Sequence, residues 1–264
     1  MAAEGTAEVR AAIDAARTAA TVLRAAMPDR AAGLRTKSSH TDVALDADRA
    51  AERAIVDVLR AAFPEDAIVA EEGTSAGPAA RRRWYVDPLD GTVNYLYGIA
   101  HFAVAIGCED ERGMLAAVVL DPSRDELFTA VRGGGAWLGT ARLEVSAQVE
   151  LGRSLVATGF AYVAEVRELQ SRILSGVLGE VRDIRRFGSA QLDLAWVAAG
   201  RHDAYFESVD KPWDWKAGAL LVREAGGMVS ELAQERPGEP HIAASGPGIH
   251  DALLATLRRA VQSA

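Results

Sequence analysis

Cysteine is nearly absent from this sequence, because Cys108 is the only one among 264 residues. A single cysteine cannot form an internal disulfide, and Cys108 lies in an apolar, strand-like run, so we expect a buried, inert thiol and a reducing environment. No run reaches the ~18 consecutive apolar residues of a membrane-spanning helix, and no basic segment leads into an apolar core at the start. These absences predict a cytoplasmic protein with no membrane partner.

Positive charge is also scarce, since 29 Lys and Arg residues face 37 Asp and Glu residues and the net charge is −8. Binding to a nucleic-acid backbone needs clustered positive charge. The only compact basic cluster, the three arginines at 81–83, favours a solvated loop over an anion site. The five histidines are scattered and there is one cysteine, so the usual ligand sets of zinc are missing. We therefore predict neither nucleic acid nor zinc as a partner.

What is present is an ordinary globular composition, with 49% hydrophobic and 25% charged residues. A chain of 264 residues can bury a full core. We treat it as one unit, residues 1–264, with an N-terminal half (1–146) that contains the main motif and a C-terminal half (147–264). Segments with helical spacing and short apolar runs are interleaved throughout, which predicts a mixed, layered α/β fold.

The apolar pattern also predicts the individual elements. Helical spacing indicates helices over residues 7–27, 41–63, 164–177, 190–199, 216–225 and 249–261. Short apolar runs between turn residues indicate strands over 67–70, 84–86, 101–108, 114–120, 126–131, 154–159, 183–187, 204–207, 228–232 and 242–244. The triple glycine at 133–135 has no following lysine or helix signal, so it favours a hairpin turn over a phosphate loop.

One stretch, residues 84–95, combines features of a phosphate and metal site. Its apolar start predicts a buried strand that ends at Asp87 and Pro88, because proline has no N–H for a ladder. Asp87 and Asp90 then precede Gly91 and Thr92, where a helical turn can begin. Carboxylates bind hard cations, and glycine lets backbone N–H groups approach an anion. Turn and N-cap roles for both aspartates explain the same pattern about equally well.

Four carboxylates share a position relative to the predicted elements. Each lies just past a strand or at a helix start: Glu71, Asp87, Asp90 and Asp214. Such positions are exposed at one edge of a sheet, where α/β proteins place their sites. Four carboxylates that converged there would repel one another unless divalent cations lay between them, and oxygen ligands favour Mg²⁺ or Mn²⁺. The residues alone do not show that Asp214 meets the other three.

The chain resembles the inositol monophosphatase family over nearly its whole length and in the right order. The matching motifs are Asp87-Pro88-Leu89-Asp90-Gly91-Thr92 with Asn94, Trp213-Asp214 with Glu224-Ala225-Gly226-Gly227, Glu71-Glu72, Lys37-Ser38-Ser39 with Asp48, and Gly188-Ser189-Ala190. The resemblance implies a layered αβαβα sandwich, an α/β (α+β) fold that is usually dimeric. It also implies Mg²⁺-dependent hydrolysis of a phosphate monoester.

The resemblance implies specific roles for residues of this chain. The metal ligands would be Glu71, Asp87, Asp90, Asp214 and the Leu89 carbonyl, and they would hold two or three Mg²⁺ ions, with Mn²⁺ as a substitute. Thr92, hydrogen-bonded to Asp48, would join Glu71 in orienting and deprotonating a water activated by the metal. The amides of Gly91 and Thr92 would bind the phosphate. Lys37 would lie near a further, weaker metal site.

The substrate alcohol is less well defined by the resemblance. It implies contacts from Asp90, Ser189, Ala190 and Glu207, although Glu207 also fits a solvent-facing charge at a strand end. Trp215, Lys216 and His101 depart from the family pattern. Inositol 1-phosphate is the favoured substrate, with histidinol phosphate or fructose 1,6-bisphosphate as the alternative. A catalytically silent sugar-phosphate-binding scaffold is the third hypothesis.

Overall fold

The computed structural model describes residues 6–27, 40–71, 73, 75–76 and 81–264. Within these residues the helices are α1 (Ala7–Ala26), α2 (His40–Ala62), α3 (Thr92–Leu96), α4 (Ala164–Leu178), α5 (Ala190–Ala198), α6 (Pro212–Glu224) and α7 (His250–Gln262). The strands are β1 (Ala67–Ala70), β2 (Ser75–Ala76), β3 (Arg82–Asp90), β4 (Ala103–Asp110), β5 (Gly113–Asp121), β6 (Glu126–Val131), β7 (Gly135–Leu138), β8 (Ala141–Arg142), β9 (Leu155–Thr158), β10 (Asp183–Arg185), β11 (Ala204–Glu207), β12 (Met228–Glu231) and β13 (Ile242–Ser245). Every predicted helix and strand is present, with ends shifted by a few residues.

The first sheet has the strand order β2-β1-β3-β4-β5-β6-β7-β8. β1 and β3 run parallel, whereas the other neighbouring strands are antiparallel. Parallel strands end at the same edge of a sheet. The backbone N–H of Glu71 continues this pairing beyond β1 by donating to the carbonyl oxygen of Val86 at 3.2 Å. Glu71, the residue that follows β1, therefore lies beside the second half of β3.

The second sheet has the strand order β10-β9-β11-β13-β12. β10, β9 and β11 run parallel, and β13 is antiparallel to both of its neighbours. β9 and β11 therefore also end at a common edge. Glu207 is the last residue of β11, so its side chain lies at this edge.

The helices form three layers around the two sheets. α1 and α2 cover the outer face of the first sheet, α5 and α6 lie between the sheets, and α4 and α7 cover the outer face of the second. Alternation along β3 shows how the layers are specified: Trp84 and Val86 join the core with α1 and α2, whereas Tyr85 joins the core with α5 and α6. The predicted αβαβα sandwich is confirmed. No helix in the described part of the chain is long and apolar enough to cross a membrane.

The prediction that the central strand ends at Asp87 is wrong. β3 continues to Asp90, and its pairing with β4 shifts register between Asp87, opposite Ala105, and Asp90, opposite Ala103. Between these two pairs β3 advances by three residues and β4 by two, so β3 contains one extra residue, which forms a β-bulge. A bulge leaves one residue unpaired, which allows Pro88 to lie inside the strand without an N–H to donate.

The prediction of a solvated arginine loop is also wrong, because Arg82 and Arg83 belong to β3. The Arg82 guanidinium contacts Glu8 of α1 at 2.7 Å and Asp66 at 3.0 Å, and it lies 4.6 Å from the ring centroid of Phe63. These partners come from α1 and from the segment before β1, so local sequence carries no signal of them.

The triple glycine forms the predicted hairpin turn. β6 and β7 are antiparallel, and β7 begins at Gly135. The N–H groups of Gly133 and Gly135 donate to the two carboxylate oxygens of Glu224 at 2.8 and 2.9 Å. Glu224 begins the Glu-Ala-Gly-Gly motif at the end of α6, so this part of the motif ties α6 to the first sheet.

Candidate active site

The predicted carboxylates meet in one cavity of 630 Å³ between the sheet edges. Its acidic lining residues are Asp48, Glu71, Asp87, Asp90, Glu207 and Asp214, and the predicted residues Leu89, Gly91, Thr92 and Ala190 also line it. Glu71 and Asp87 arrive from the parallel pair β1 and β3, Glu207 from the end of β11, and Asp214 from the first turn of α6. The structure thus brings Asp214 to the other carboxylates, a step that the sequence pattern alone left open.

Asp87 is deeply buried, with 3% of its surface exposed. One of its carboxylate oxygens accepts a hydrogen bond from the N–H of Leu89 at 3.1 Å. Burial raises the pKa of Asp87 well above its usual range, and the negative charges of Glu71, Asp90 and Asp214 raise it further. The site therefore carries more negative charge than the protein alone can stabilise.

Asp90 is held by the start of α5. One of its oxygens accepts hydrogen bonds from the Ser189 hydroxyl at 2.6 Å and from the N–H of Gln191 at 2.7 Å. Ser189 is also the N-cap of α5, because its hydroxyl accepts from the N–H of Leu192. Burial raises the pKa of Asp90 to about 6, while the hydrogen bonds from Ser189, Gln191 and Ala190 oppose this rise.

Gly91 takes a backbone conformation that favours glycine, with φ +96°. A Cβ here would also lie 3.1 Å from the His101 carbonyl oxygen and 3.2 Å from that of Gly188. The next residue, Thr92, donates its hydroxyl to the Leu89 carbonyl oxygen at 3.0 Å. The pairing of Thr92 with Asp48 that the resemblance implies stays a prediction.

Asn94 connects the metal motif to the second half of the chain. Its side-chain amide donates to the carbonyl oxygens of His101 and Phe187, both at 2.7 Å. Phe187 directly precedes the Gly188-Ser189 turn. The asparagine of the motif thus has a structural role, since it sets the Ser189 turn against the loop that carries Asp90.

Asp214 lies in the first turn of α6, which begins at Pro212, four residues earlier than the predicted start at 216. Proline suits the first position of a helix because its fixed φ matches and its missing N–H would be unpaired there. Burial raises the pKa of Asp214 to about 8, and the charges of Asp90, Glu71 and Glu207 add to the rise. Asp214 and Asp90 therefore influence each other across the two halves of the chain.

Glu207 faces the cavity rather than bulk solvent. Its carboxylate accepts a hydrogen bond from the buried Tyr205 hydroxyl at 2.8 Å. A Cβ at Gly159 would lie 2.1 Å from this carboxyl group, so only glycine leaves room for it. Burial raises the pKa of Glu207 to about 7, while the Tyr205 hydrogen bond lowers it. The alternative of a solvent-facing strand-end charge is wrong.

The donor set fits hard divalent cations. Four carboxylates and a backbone carbonyl supply only oxygen. Burial raises the pKa values of Asp87, Asp90 and Asp214, and repulsion by neighbouring carboxylates adds to the rise for Asp87 and Asp214; a cation would relieve both effects. No three His, Cys, Asp or Glu side chains of the described residues are already arranged around one ion position. Side chains that repel one another are expected to close only around the ion. Lys37 and Glu72 lie outside the described residues.

Comparison with known proteins shows the family of this chain. The family model described as the inositol monophosphatase family matches residues 6–263. The chain belongs to the inositol monophosphatase family. It is 44% identical over 225 residues to the Nus factor SuhB of Pseudomonas aeruginosa, covering 82% of this chain and 83% of that protein. It is 43% identical over 223 residues to the inositol-1-monophosphatase of Rhizobium meliloti, covering 84% and 83%.

A solved structure shows the same fold. The extragenic suppressor protein suhB of Bartonella henselae aligns with a TM-score of 0.83 and 37% identity, covering 96% of this chain and 100% of that chain. The predicted family and fold class are therefore confirmed. Proteins of the inositol monophosphatase family are generally Mg²⁺-dependent, which agrees with the oxygen-only donor set described above.

One wall of the cavity consists of residues that the sequence motifs do not predict. Phe160 and Tyr162 follow β9, and Arg186 lies two residues before the Gly188-Ser189 turn. The Arg186 guanidinium lowers the pKa of both Asp90 and Glu207, although burial outweighs it in each case. Arg186 could have been predicted to lie near the site only from its position close to the Gly188-Ser189 motif of the inositol monophosphatase family. The two aromatic residues belong to no motif.

The three departures from the family pattern lie outside the cavity lining. His101 packs on the rings of Phe187 and Trp196, with centroids 5.1 and 5.3 Å away. Lys216 pairs with Glu109 at 2.8 Å. Trp215 is buried, with 4% of its surface exposed. These side chains therefore shape the surroundings of the site rather than its surface.

Proposed function

We propose that this protein is a Mg²⁺-dependent phosphatase that hydrolyses a polyol phosphate monoester, with inositol 1-phosphate as the favoured substrate. The observation that carries this proposal is the convergence of Glu71, Asp87, Asp90 and Asp214 in one cavity beside Thr92. Membership of the inositol monophosphatase family and the similarity to a protein named inositol-1-monophosphatase support it.

The residues that would hold the metal are Glu71, Asp87, Asp90, Asp214 and the Leu89 carbonyl, with two or three Mg²⁺ ions or with Mn²⁺ in their place. When bound, such ions would lower the pKa of a bound water and stabilise the attacking and leaving oxygens. Uncatalysed monoester hydrolysis is so slow that up to ~10²¹-fold acceleration is needed. Most of this rate acceleration must come from electrostatics and positioning, because phosphoryl transfer needs little covalent chemistry from the protein.

The chain's own groups would position the reactants and move one proton. The N–H groups of Gly91 and Thr92 would donate to phosphate oxygens, which the conformation of Gly91 makes possible. Glu71 would accept the proton of the attacking water, and Thr92, supported by Asp48, would orient that water. Lys37 would assist at a further metal position.

The alcohol would lie against Ser189, Ala190 and Glu207. A carboxylate that already accepts one hydrogen bond from Tyr205 still has free lone pairs for substrate hydroxyls. The alternative substrate is histidinol phosphate. It is supported by the aromatic wall of Phe160 and Tyr162, because the imidazole of histidinol phosphate can stack on aromatic rings. Fructose 1,6-bisphosphate remains a further alternative.

A second role is suggested by relatives named Nus factor SuhB. Val93 and Tyr97 lie four residues apart at α3, and with Ile99 they are 39%, 52% and 49% exposed. Exposed apolar groups of this kind suit a protein partner, either a second copy of this chain in a homodimer or a component of a larger assembly. An Asp87→Asn variant would separate the roles, because binding to a partner does not need turnover. Loss of both together would argue against a separate binding role.

Phosphate release from a small panel, with and without Mg²⁺, tests the proposed function. The panel holds inositol 1-phosphate, histidinol phosphate, fructose 1,6-bisphosphate and adenosine 3′,5′-bisphosphate. Mg²⁺-dependent release with a preference for the first compound is expected. A preference for histidinol phosphate would identify that compound, the alternative, as the substrate. Release from none of the four would overturn the proposed function and favour a silent scaffold or a substrate outside the panel.

A further inference from the structure

Gln191 lies between the two carboxylates that come from different halves of the chain. It is the second residue of α5 and is completely buried, with 0% of its surface exposed. Its backbone N–H donates to Asp90 at 2.7 Å. Its side chain contacts α6, the helix that carries Asp214. One residue therefore touches Asp90 directly and Asp214 through its helix.

The Gln191 carboxamide binds two backbone groups that flank Asp214. Its oxygen accepts from the N–H of Gly218 at 2.7 Å, and its nitrogen donates to the carbonyl of Trp213 at 2.5 Å. In a regular helix the N–H of residue 218 is directed at the carbonyl of residue 214. The side chain thus fixes the turn of α6 that begins at Asp214.

Glycine at position 218 makes this approach possible. A Cβ there would lie 2.5 Å from the Cβ of Leu194 and 3.0 Å from the side-chain oxygen of Gln191. A larger residue would force α5 and α6 apart. The contact is therefore built from both helices, and it satisfies both polar groups of a carboxamide that would be costly to bury alone.

These contacts have a specific consequence if Asp90 and Asp214 bind the same ions, because partners that orient metal ligands typically contribute about 10–100-fold in metal affinity. We propose that Gln191 is a positioning residue that couples Asp90 to Asp214 and holds both carboxylates where a shared divalent cation can contact them. This inference rests on the proposed function, since it needs a metal at this site.

The test is a calorimetric titration of Mg²⁺, and separately of Mn²⁺, into substrate-free protein. Gln191→Met keeps the length of the side chain and removes both of its hydrogen bonds. We expect metal binding to weaken by about 10–100-fold. In assays of the loaded enzyme, the Mg²⁺ concentration for half-maximal rate should rise by a similar factor, while the KM for the phosphate monoester at saturating Mg²⁺ should change little.

The matched control is Gln170→Met. Gln170 is also a buried glutamine, 6% exposed, and it lies on α4. Its carboxamide oxygen accepts from the N–H of Ala161 at 2.9 Å, in the aromatic wall of the cavity and on no element that carries a predicted metal ligand. A general effect of losing a buried carboxamide would weaken metal binding in both variants. We expect the control to bind Mg²⁺ and Mn²⁺ like the wild type.

Three results would overturn the inference, and they can be told apart. Equal metal affinity of Gln191→Met and wild type would remove the positioning role and leave the proposed function intact. A wild type that binds neither ion would remove the metal site itself. If Gln191→Met does not fold, nuclear magnetic resonance of the wild type decides: the Gln191 side-chain NH₂ and the Gly218 amide should shift on Mg²⁺ addition, and unmoved signals at saturation would refute the coupling.

Discussion

The hydroxyl of Ser189 donates a 2.6 Å hydrogen bond to the carboxylate of Asp90, which lies 99 positions earlier in the chain. The same hydroxyl accepts from the N–H of Leu192 and so begins α5. A single side chain therefore starts a helix of the middle layer and orients a carboxylate of the first sheet. Neither half of the chain can complete the site without the other.

Ser189→Ala should weaken both the helix start and the metal site. Loss of an N-cap side chain costs about 1 kcal/mol of stability. Asp90 also loses a hydrogen bond that lowers its pKa, so its pKa should rise further and it should be a poorer metal ligand at neutral pH. Urea unfolding and the Mg²⁺ concentration for half-maximal rate check the two effects.

Ser154→Ala is the control for that experiment, because Ser154 is buried, its hydroxyl donates to the backbone carbonyl of Glu150, and neither residue lines the cavity. It should lose stability without any change in Mg²⁺ dependence. An unchanged Mg²⁺ dependence in Ser189→Ala as well would show that the bond to Asp90 has no role in metal binding.

Asp87→Asn should lower turnover by about 10²-fold or more, since it removes a metal ligand worth several kcal/mol of charge stabilisation. It should not unfold the metal-free protein, because the repulsion that raises the pKa of Asp87 is removed with the charge. Initial rates and thermal unfolding without metal are the measurements. Asp183→Asn, at an exposed carboxylate paired with Arg185, is the control. Near wild-type turnover of Asp87→Asn at saturating Mg²⁺ would refute the metal assignment.

Glu207→Ala should mainly change the choice of substrate. An alcohol without the right hydroxyl is rejected because it leaves the buried Glu207 carboxylate unpaired. Without that carboxylate, the preference for inositol 1-phosphate should fall about tenfold or more. The ratios of kcat/KM across the phosphate panel measure this. Glu231→Ala, at the exposed end of β12, should leave the ratios unchanged. The same ranking of substrates in Glu207→Ala would show that the carboxylate does not contact the alcohol.

The contribution of His202 to stability should fall at acidic pH. Burial lowers the pKa of His202 to about 4 in the folded protein, against about 6.5 in an unfolded chain. As the pH falls from about 6.5 to about 4, the unfolded chain binds a proton that the folded protein does not, so up to about 3 kcal/mol of stability is lost.

The His202→Leu variant isolates this contribution. The carboxylates of the cavity titrate in both proteins, so their contribution cancels in the comparison. Asp193, 3.8 Å from the His202 ring, is the buried carboxylate whose titration changes with the substitution. The difference in unfolding free energy between wild type and variant should change by up to about 3 kcal/mol between about pH 7 and about pH 4, with the wild type losing more. Urea unfolding across this range is the measurement. Parallel curves for the two proteins would mean that His202 titrates normally in the folded state.

Much of the fold could be predicted from local patterns. The apolar run at Trp84 indicated the central strand, and the glycines at 133–135 indicated a hairpin turn. The extension of that strand to Asp90 could not be predicted, because it depends on a bulge opposite Ala103 and Ala105 of β4. The short strands β7 and β8 were missed because their pairing, rather than their composition, defines them.

The candidate site also has residues that the sequence predicts and residues that it does not. Asp87 and Asp90 were visible as a local motif, but their meeting with Asp214 came from the family resemblance, since it depends on how α6 packs between the sheets. Gln191 and Arg186 were missed. The contacts of Gln191 reach residues 22, 27 and 101 positions away, so its role exists only in the folded chain.

The most direct measurement of the central claim is the initial rate of phosphate release from inositol 1-phosphate across a Mg²⁺ titration, for wild type and Asp214→Asn. If carboxylates from both halves hold the ions, the wild-type rate should rise from background to saturation with Mg²⁺, and the variant should need far more Mg²⁺ and turn over far more slowly. Wild-type release that is independent of Mg²⁺, or an Asp214→Asn titration that superimposes on the wild type, would contradict the account.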